Sequence, residues 1–174
     1  GVNAAVALAH AVLALSELGD AAAGTSVTPT VLQAGTTTNT VPASAWVSVD
    51  VRAWTVGEQQ RVDDAIRAMT SPVEGARIVV HGGINRPPLE RAMAVDLYTQ
   101  AAAVAAELGF EPLRETAVGG GSDGNFTAGA GIPTLDGLGP WGGGAHADHE
   151  HAVRAAFPQR TALVAGLVER LLAG

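Results

Sequence analysis

The chain has 174 residues and no cysteine, and its 10 Lys or Arg against 17 Asp or Glu give a formal net charge of −7. This composition excludes a disulfide framework, thiolate metal sites and a cysteine nucleophile, and it argues against a nucleic-acid partner, which requires clustered basic residues. A hydrophobic fraction of 47% is enough for a packed core. The apolar first segment is too short and too amphipathic to span a membrane, so we expect a soluble, cytoplasmic protein.

The first part of the sequence predicts two helices and three strands. The predicted elements are a helix over 3–18, strands over 25–35 and 41–54, a helix that begins after Gly57 and ends at Ser71-Pro72, and a strand over 75–84. Asn3 is a candidate N-cap for the first helix, and Gly19 is its expected end. Since each helix needs a sheet face to cover, this order favours a small antiparallel sheet backed by two helices.

The second part begins near Pro87-Pro88, because consecutive prolines prevent regular pairing. Its predicted elements are a helix over about 89–108, strands over 111–118 and 131–139, and an amphipathic helix over 156–174. Strands that alternate with helices are typical of α/β layers.

The segment 118–152 is the densest in residues that carry chemistry. Gly119-Gly120-Gly121, followed by Ser122, can bring backbone N–H groups close to an anion. The same composition is also typical of an ordinary loop. The spacing matches neither dinucleotide nor P-loop patterns, so it gives little support to a nucleotide site.

A histidine cluster follows, in which His146, His149 and His151 stand close to Asp148 and Glu150. Neutral imidazole is a common zinc ligand, and His146 lies just beyond a glycine-rich run, but zinc needs three or four ligands. A solvated histidine-rich loop explains the pattern equally well. The two acidic residues are also candidates for capping the helix that follows.

Three further polar residues lie in the first part of the chain. Asn39 is placed in a predicted turn, where Asn is common. Arg52 shares a strand face with Asp50, which is consistent with a surface ion pair. Arg86 precedes two prolines, so its backbone is held extended and its guanidinium can clamp a carboxylate. Each of them, considered singly, is also explained by a structural role.

In combination these segments resemble the dinuclear zinc exopeptidase and deacylase family that includes glutamate carboxypeptidase, succinyl-diaminopimelate desuccinylase and acetylornithine deacetylase. The segments occur in the family's order, as GVNA, AGTTTNTVPASAWVSVDVR, RPP, GGGSDGNF and GIPTLDGLGPWGGGAHADHEHA. The Asn-x-Val-Pro and Asp-x-Arg strand pair, combined with Gly-Pro-x-Gly-Gly-Gly-x-His, is specific. The similarity is to the C-terminal half of such enzymes, including the dimerisation domain.

The resemblance implies a fold of two parts. Residues 1–86 would form a ferredoxin-like lid, or dimerisation, domain with an antiparallel sheet whose first strand is missing. Residues 87–174 would form the C-terminal portion of an α/β catalytic domain. It also implies a homodimer through the lid domain and two zinc ions in the complete enzyme, with cobalt or manganese as substitutes.

The activity implied is cleavage of an amide bond in an N-acyl amino acid or next to a C-terminal amino acid. The resemblance assigns His146 as a metal ligand and gives the substrate-binding role to Asn39, Arg52, Arg86, Gly119, Gly120, Gly121, Ser122 and Gly144. The general base and the other ligands are expected upstream of Gly1, in a missing N-terminal half of the catalytic domain. We therefore expect the fragment to be inactive alone. The alternative is a non-catalytic dimerisation or small-ligand-binding module.

Overall fold

The computed structural model describes residues 1–173, and it shows a mixed α/β protein with small antiparallel sheets. The chain divides into two compact units. Unit 1 comprises Gly1–Pro88 together with Gly119–Gly121, and unit 2 comprises Leu89–Val118 together with the chain from Ser122 onward. No helix among the described residues is both long and apolar enough to cross a membrane.

Unit 1 contains two helices and two strands. They are α1 (Ala4–Ser16), β1 (Ser26–Ala34), β2 (Ala45–Arg52) and α2 (Val56–Arg67). The predicted N-cap is confirmed, because Asn3 Oδ1 accepts hydrogen bonds from the backbone N–H groups of Ala5 at 3.0 Å and Val6 at 3.4 Å. Thr55 caps α2 in the same way through the N–H of Glu58, at 3.2 Å.

The two strands pair antiparallel, from Ser26 opposite Arg52 to Ala34 opposite Ala45, with an irregularity between Pro29 and Val31. Proline has no N–H to give to the ladder, which explains an irregularity at this point. The predicted alternation of β2 is confirmed, since its valines are half-buried and its polar residues are exposed. The unit 1 core consists of Leu15, Val27 and Val62, with further half-buried apolar side chains around it.

The predicted strand over 75–84 is wrong, because no strand is formed there among the described residues. Gly75, Gly82 and Gly83 adopt φ values of 78°, 87° and 154°. Such values depart from the extended conformation, so they interrupt pairing at both ends of the segment. The unit 1 sheet therefore has two strands.

Unit 2 is mainly helical. Its elements are α3 (Arg91–Glu107), α4 (Gly124–Gly129), β3 (Gly142–Gly143), β4 (His151–Ala152) and α5 (Ala156–Ala173). Its core lies where α3 packs on α5 and consists of Ala101, Val104, Ala105, Leu163 and Leu167. A Cβ on Gly166 would lie 2.7 Å from Val104 Cγ1, so this glycine permits the close approach of the two helices. Gly174, the last residue of the predicted terminal helix, lies outside the described residues.

The strands predicted over 111–118 and 131–139 are also wrong. In the described part of unit 2 the only pairing is the two-residue antiparallel ladder of β3 with β4. The apolar side chains that suggested strands, Leu113, Leu135 and Leu138, instead pack on the helical core from irregular segments. These leucines are half-buried against the helical core without being part of a sheet.

Candidate functional site

The first component of the candidate site is Arg52, the last residue of β2. The two-residue period of the strand places Asp50 and Arg52 on its exposed face. Arg52 Nε donates to Asp50 Oδ2 at 2.8 Å. This hydrogen bond, and then the charge of Asp50, raise the pKa of the Arg52 guanidinium above its ordinary value, so the group stays cationic.

Arg52 also holds the backbone of the glycine run. Its Nη1 donates to the carbonyl oxygen of Gly119 at 3.1 Å. A Cβ on Gly119 would lie 4.0 Å from Arg52 Cδ, which is ordinary van der Waals contact. The first residue of the glycine run, Gly119, is thus in direct contact with the Arg52 guanidinium group.

Arg86 lies at the other end of the same run. A Cβ on Gly121 would lie 2.6 Å from Arg86 Nη1 and 3.1 Å from Arg86 Cδ, so the arginine side chain rests directly against the Gly121 backbone and a side chain at position 121 would displace it. The carbonyl oxygen of Arg86 accepts a hydrogen bond of 2.7 Å from Gln59 Nε2 on α2.

Unit 1 therefore brings together five of the residues singled out from the sequence: Arg52, Arg86, Gly119, Gly120 and Gly121. Guanidinium groups bind carboxylates through paired N–H donors, and glycine backbone amides can approach an anion closely. The arrangement can bind a small anion. Asp50 offsets part of its positive charge.

Two further residues singled out from the sequence, Asn39 and Ser122, are described within their own units. Asn39 is exposed in the connection between β1 and β2. Ser122 belongs to unit 2, where its Oγ accepts the N–H of Gly124 at 3.0 Å and its own N–H donates to Asn125 Oδ1 at 2.8 Å. These bonds give Ser122 a structural role at the start of α4.

His146 lies in the loop of unit 2 that joins β3 to β4. It has a φ of 65°, which is uncommon for a residue other than glycine, and its backbone N–H donates to Glu150 Oε2 at 3.2 Å. Gly144 has a φ of 71°, and a Cβ there would lie 2.8 Å from His149 Cδ2. The loop therefore has a defined backbone conformation that presents His146 as an exposed side chain.

The donor set of this loop does not fit a complete metal centre. Between residues 1 and 173, no three His, Asp or Glu side chains are placed so that they could share an ion. The carboxylate of Glu150 accepts the His146 N–H, and the Nδ1 of His151 is 3.0 Å from the carbonyl oxygen of His149. His146 can supply a single imidazole ligand, which is fewer than the three or four that zinc requires.

Sequence reasoning did not identify Gln59 as a functional candidate. A glutamine one turn into a helix is ordinary in sequence, and no local pattern connects it to Arg86, which lies 27 residues later. Asp50 was visible as the strand-face neighbour of Arg52, and the ion pair expected from that spacing is confirmed.

Comparison with known proteins gives concordant results. Residues 2–170 match the family model described as Peptidase family M20/M25/M40. The chain is also 30% identical over 183 aligned positions to Carboxypeptidase G2 from Pseudomonas sp. (strain RS-16). That alignment covers 100% of this chain and 43% of the relative, so the chain spans less than half the length of the relative it matches. The chain belongs to peptidase family M20/M25/M40.

Proposed function

We propose that this chain forms the substrate-carboxylate site of an amide hydrolase of the carboxypeptidase or deacylase type. The substrate class is an N-acyl amino acid or a peptide with a free C-terminal amino acid. The observation that carries the proposal is the arrangement of Arg52 and Arg86 at the two ends of Gly119–Gly121. Family membership and the similarity to a carboxypeptidase support it.

The chemistry of the site suits a carboxylate. Two cationic groups next to backbone N–H donors stabilise a planar anion through charge-assisted hydrogen bonds. The carboxylate that a carboxypeptidase product or an N-acyl amino acid carries fits this description. In the proposed function Arg86 and Arg52 bind and orient the substrate.

We further propose that His146 is one ligand in a metal centre whose other ligands come from polypeptide that this chain does not contain. Proteins of this family are generally metal-dependent peptidases, with zinc as the proposed ion. A bound metal polarises an amide carbonyl or activates water. The described residues of this chain do not fit a complete centre, so we assign it no hydrolytic step and propose that it is inactive alone.

The metal part of the proposal is tested by elemental mass spectrometry after zinc loading and dialysis, together with an amide hydrolysis assay. We expect near-zero zinc per chain and no metal-dependent hydrolysis. Two tightly held zinc ions per chain, or turnover by the pure protein, would overturn it. His146→Ala in a larger protein that hydrolyses substrate should reduce zinc occupancy, whereas Asp148→Ala serves as the matched loop control.

The carboxylate part is tested by titrating the protein with N-acetylglycine and with N-acetylglycinamide, which differ in the carboxylate alone. We expect binding of the first compound only, and loss of that binding in Arg86→Ala. Arg77→Ala is the matched control, since it removes an exposed arginine of unit 1 outside the group. Equal binding of the two compounds would contradict the proposal.

We also propose that unit 1 is the ferredoxin-like lid domain and forms a homodimer. The order α1, β1, β2, α2 is consistent with such a layer. Three large apolar side chains of the two-stranded sheet, Val31, Leu32 and Trp46, are about half exposed. Exposed strand edges with apolar side chains favour pairing with another chain.

The same surface favours the second candidate function, a non-catalytic dimerisation module. Light scattering coupled to size-exclusion chromatography separates the outcomes. We expect a dimer that Leu32→Lys converts to a monomer, and a monomer at high concentration would exclude both the lid dimer and the module. A dimer that does not bind N-acetylglycine would favour the non-catalytic module.

A further inference from the structure

Gln59 is a side chain of α2 that contacts the segment carrying Arg86. Its amide Nε2 lies 2.7 Å from the Arg86 carbonyl oxygen and donates to it. We infer that Gln59 is a positioning residue for the carboxylate site, because it fixes the backbone from which the Arg86 guanidinium reaches Gly121. This inference rests on the proposed function. It adds Gln59 as a residue that the site requires although Gln59 does not contact the substrate.

The chain around Arg86 explains why such a bond matters. Pro87 and Pro88 have no N–H group, so two consecutive residues after Arg86 cannot donate to any neighbouring backbone. Gly82 and Gly83, shortly before Arg86, adopt positive φ, and the Gly82 carbonyl accepts a hydrogen bond of 3.1 Å from Arg67 Nη2 at the end of α2. A donor from a neighbouring element is therefore an effective way to hold the Arg86 carbonyl in place.

The helix that supplies this donor is well fixed. Thr55 caps α2, and the backbone N–H of Gln59 donates to the Thr55 carbonyl at 3.0 Å in the first turn. Val62, less than one turn later, is completely buried in the unit 1 core. The Gln59 side chain is half-buried, which limits competition from water for its amide. The Arg86 carbonyl is thus linked to the unit 1 core through the Gln59 side chain.

A fixed backbone carbonyl reduces the freedom that Arg86 loses when it binds an anion. A binding group that is already in place has less conformational entropy to lose on association, so affinity is higher. Loss of the Gln59 donor should leave the charge of the site unchanged and weaken its affinity. Replacement of Arg86 removes the charge itself.

The test compares Gln59 with its neighbour on the same helix. Gln59→Leu removes the donor, and Gln60→Leu is the matched control, since Gln60 Nε2 donates at 2.8 Å to Asp64 within α2. Affinity for N-acetylglycine is measured by calorimetry well below the melting temperature, so that only folded protein is titrated. We expect about tenfold weaker binding in Gln59→Leu, the size of one hydrogen bond, and no change in Gln60→Leu.

A rescue variant separates positioning from general destabilisation. Gln59→Lys restores a donor to the Arg86 carbonyl, and Gln60→Lys controls for the added charge. We expect Gln59→Lys to bind N-acetylglycine at least as tightly as Gln60→Lys. Weak binding that is not restored by the lysine would show that the packing of the side chain matters, not its hydrogen bond, and would overturn the inference.

The amide resonance of Gly121 gives a readout that does not depend on substrate. It should shift in Gln59→Leu and stay unchanged in Gln60→Leu, because only the first variant moves Arg86. Full binding by Arg86→Ala would overturn the proposed carboxylate site. Loss of binding in Arg86→Ala, with equal behaviour of Gln59→Leu and Gln60→Leu, would overturn only the role of Gln59.

Discussion

Arg52 donates from Nη1 to the carbonyl oxygen of Gly119 at 3.1 Å, across 67 residues of sequence. The same guanidinium is oriented by Asp50 through its Nε, at 2.8 Å. Arg52 thus supplies a cationic group and also binds the backbone of the glycine run. A substitution of Arg52 should therefore change both the charge of the site and the conformation of the Gly119–Gly121 loop.

From this coupling we predict that Arg52→Ala loosens the Gly119–Gly121 backbone as well as removing a charge. Hydrogen exchange measured by NMR should be faster at the amides of Gly120 and Gly121. Arg77→Ala, which removes an exposed arginine elsewhere in unit 1, should leave their exchange unchanged. Unaltered exchange in Arg52→Ala would mean that the bond to Gly119 does not restrain the loop.

A second prediction concerns the acid stability of unit 1. Arg61 and then Thr25 donate hydrogen bonds to the Glu58 carboxylate and lower its pKa from 4.5 to about 2. A carboxyl whose pKa is depressed in the folded state stabilises it fully above the unfolded-state pKa. That contribution is lost as the pH falls from about 4.5 to about 2.

Glu58→Gln should therefore reduce stability at neutral pH and flatten the dependence of the unfolding free energy on pH below about 4.5. Urea denaturation followed by circular dichroism at several pH values measures this dependence. Glu17→Gln removes an exposed carboxylate of the same unit and is the matched control. Parallel pH profiles for Glu58→Gln and the unmodified protein would contradict the assignment.

A third prediction concerns the core of unit 2. Leu163 lies between α3 and α5 and is 1% exposed, so Leu163→Ala should cost about 2–5 kcal/mol of unfolding free energy. Leu172 lies on the same helix but is 83% exposed, and Leu172→Ala should change stability by less than about 0.5 kcal/mol. Denaturant titrations of the two variants measure the two changes in unfolding free energy. Equal changes would contradict the packing of α3 on α5.

A fourth prediction concerns the start of α1. Asn3 Oδ1 accepts two backbone N–H groups that have no partner within the helix, so Asn3→Ala should destabilise the protein by about 1 kcal/mol. Asn3→Asp keeps the acceptor and should retain most of the stability. Thermal denaturation of the three proteins measures the effect, and equal midpoints for all of them would show that the cap is unimportant.

The elements that local chemistry determines were predictable from sequence. The cap at Asn3, the end of α3 near residue 108 and the alternation of β2 depend on residues within one turn or one strand. The ion pair of Asp50 with Arg52 follows from their two-residue spacing. Ordered motifs along the chain were also enough to indicate the family, which the family match confirms.

Other features depended on tertiary structure. The predicted strands over 111–118 and 131–139 are not formed, and their leucines at 113, 135 and 138 pack on the helical core without hydrogen-bonded pairing. The contacts of Gly119 with Arg52, Gly121 with Arg86 and Gln59 with Arg86 join positions 67, 35 and 27 residues apart. The sequence by itself determined the family, through its ordered motifs, and the Asn3 cap and the faces of β2, because a cap and a strand face depend on neighbouring residues. Only the tertiary structure determined that Arg52 and Arg86 contact the Gly119–Gly121 loop, because such contacts depend on how distant segments pack.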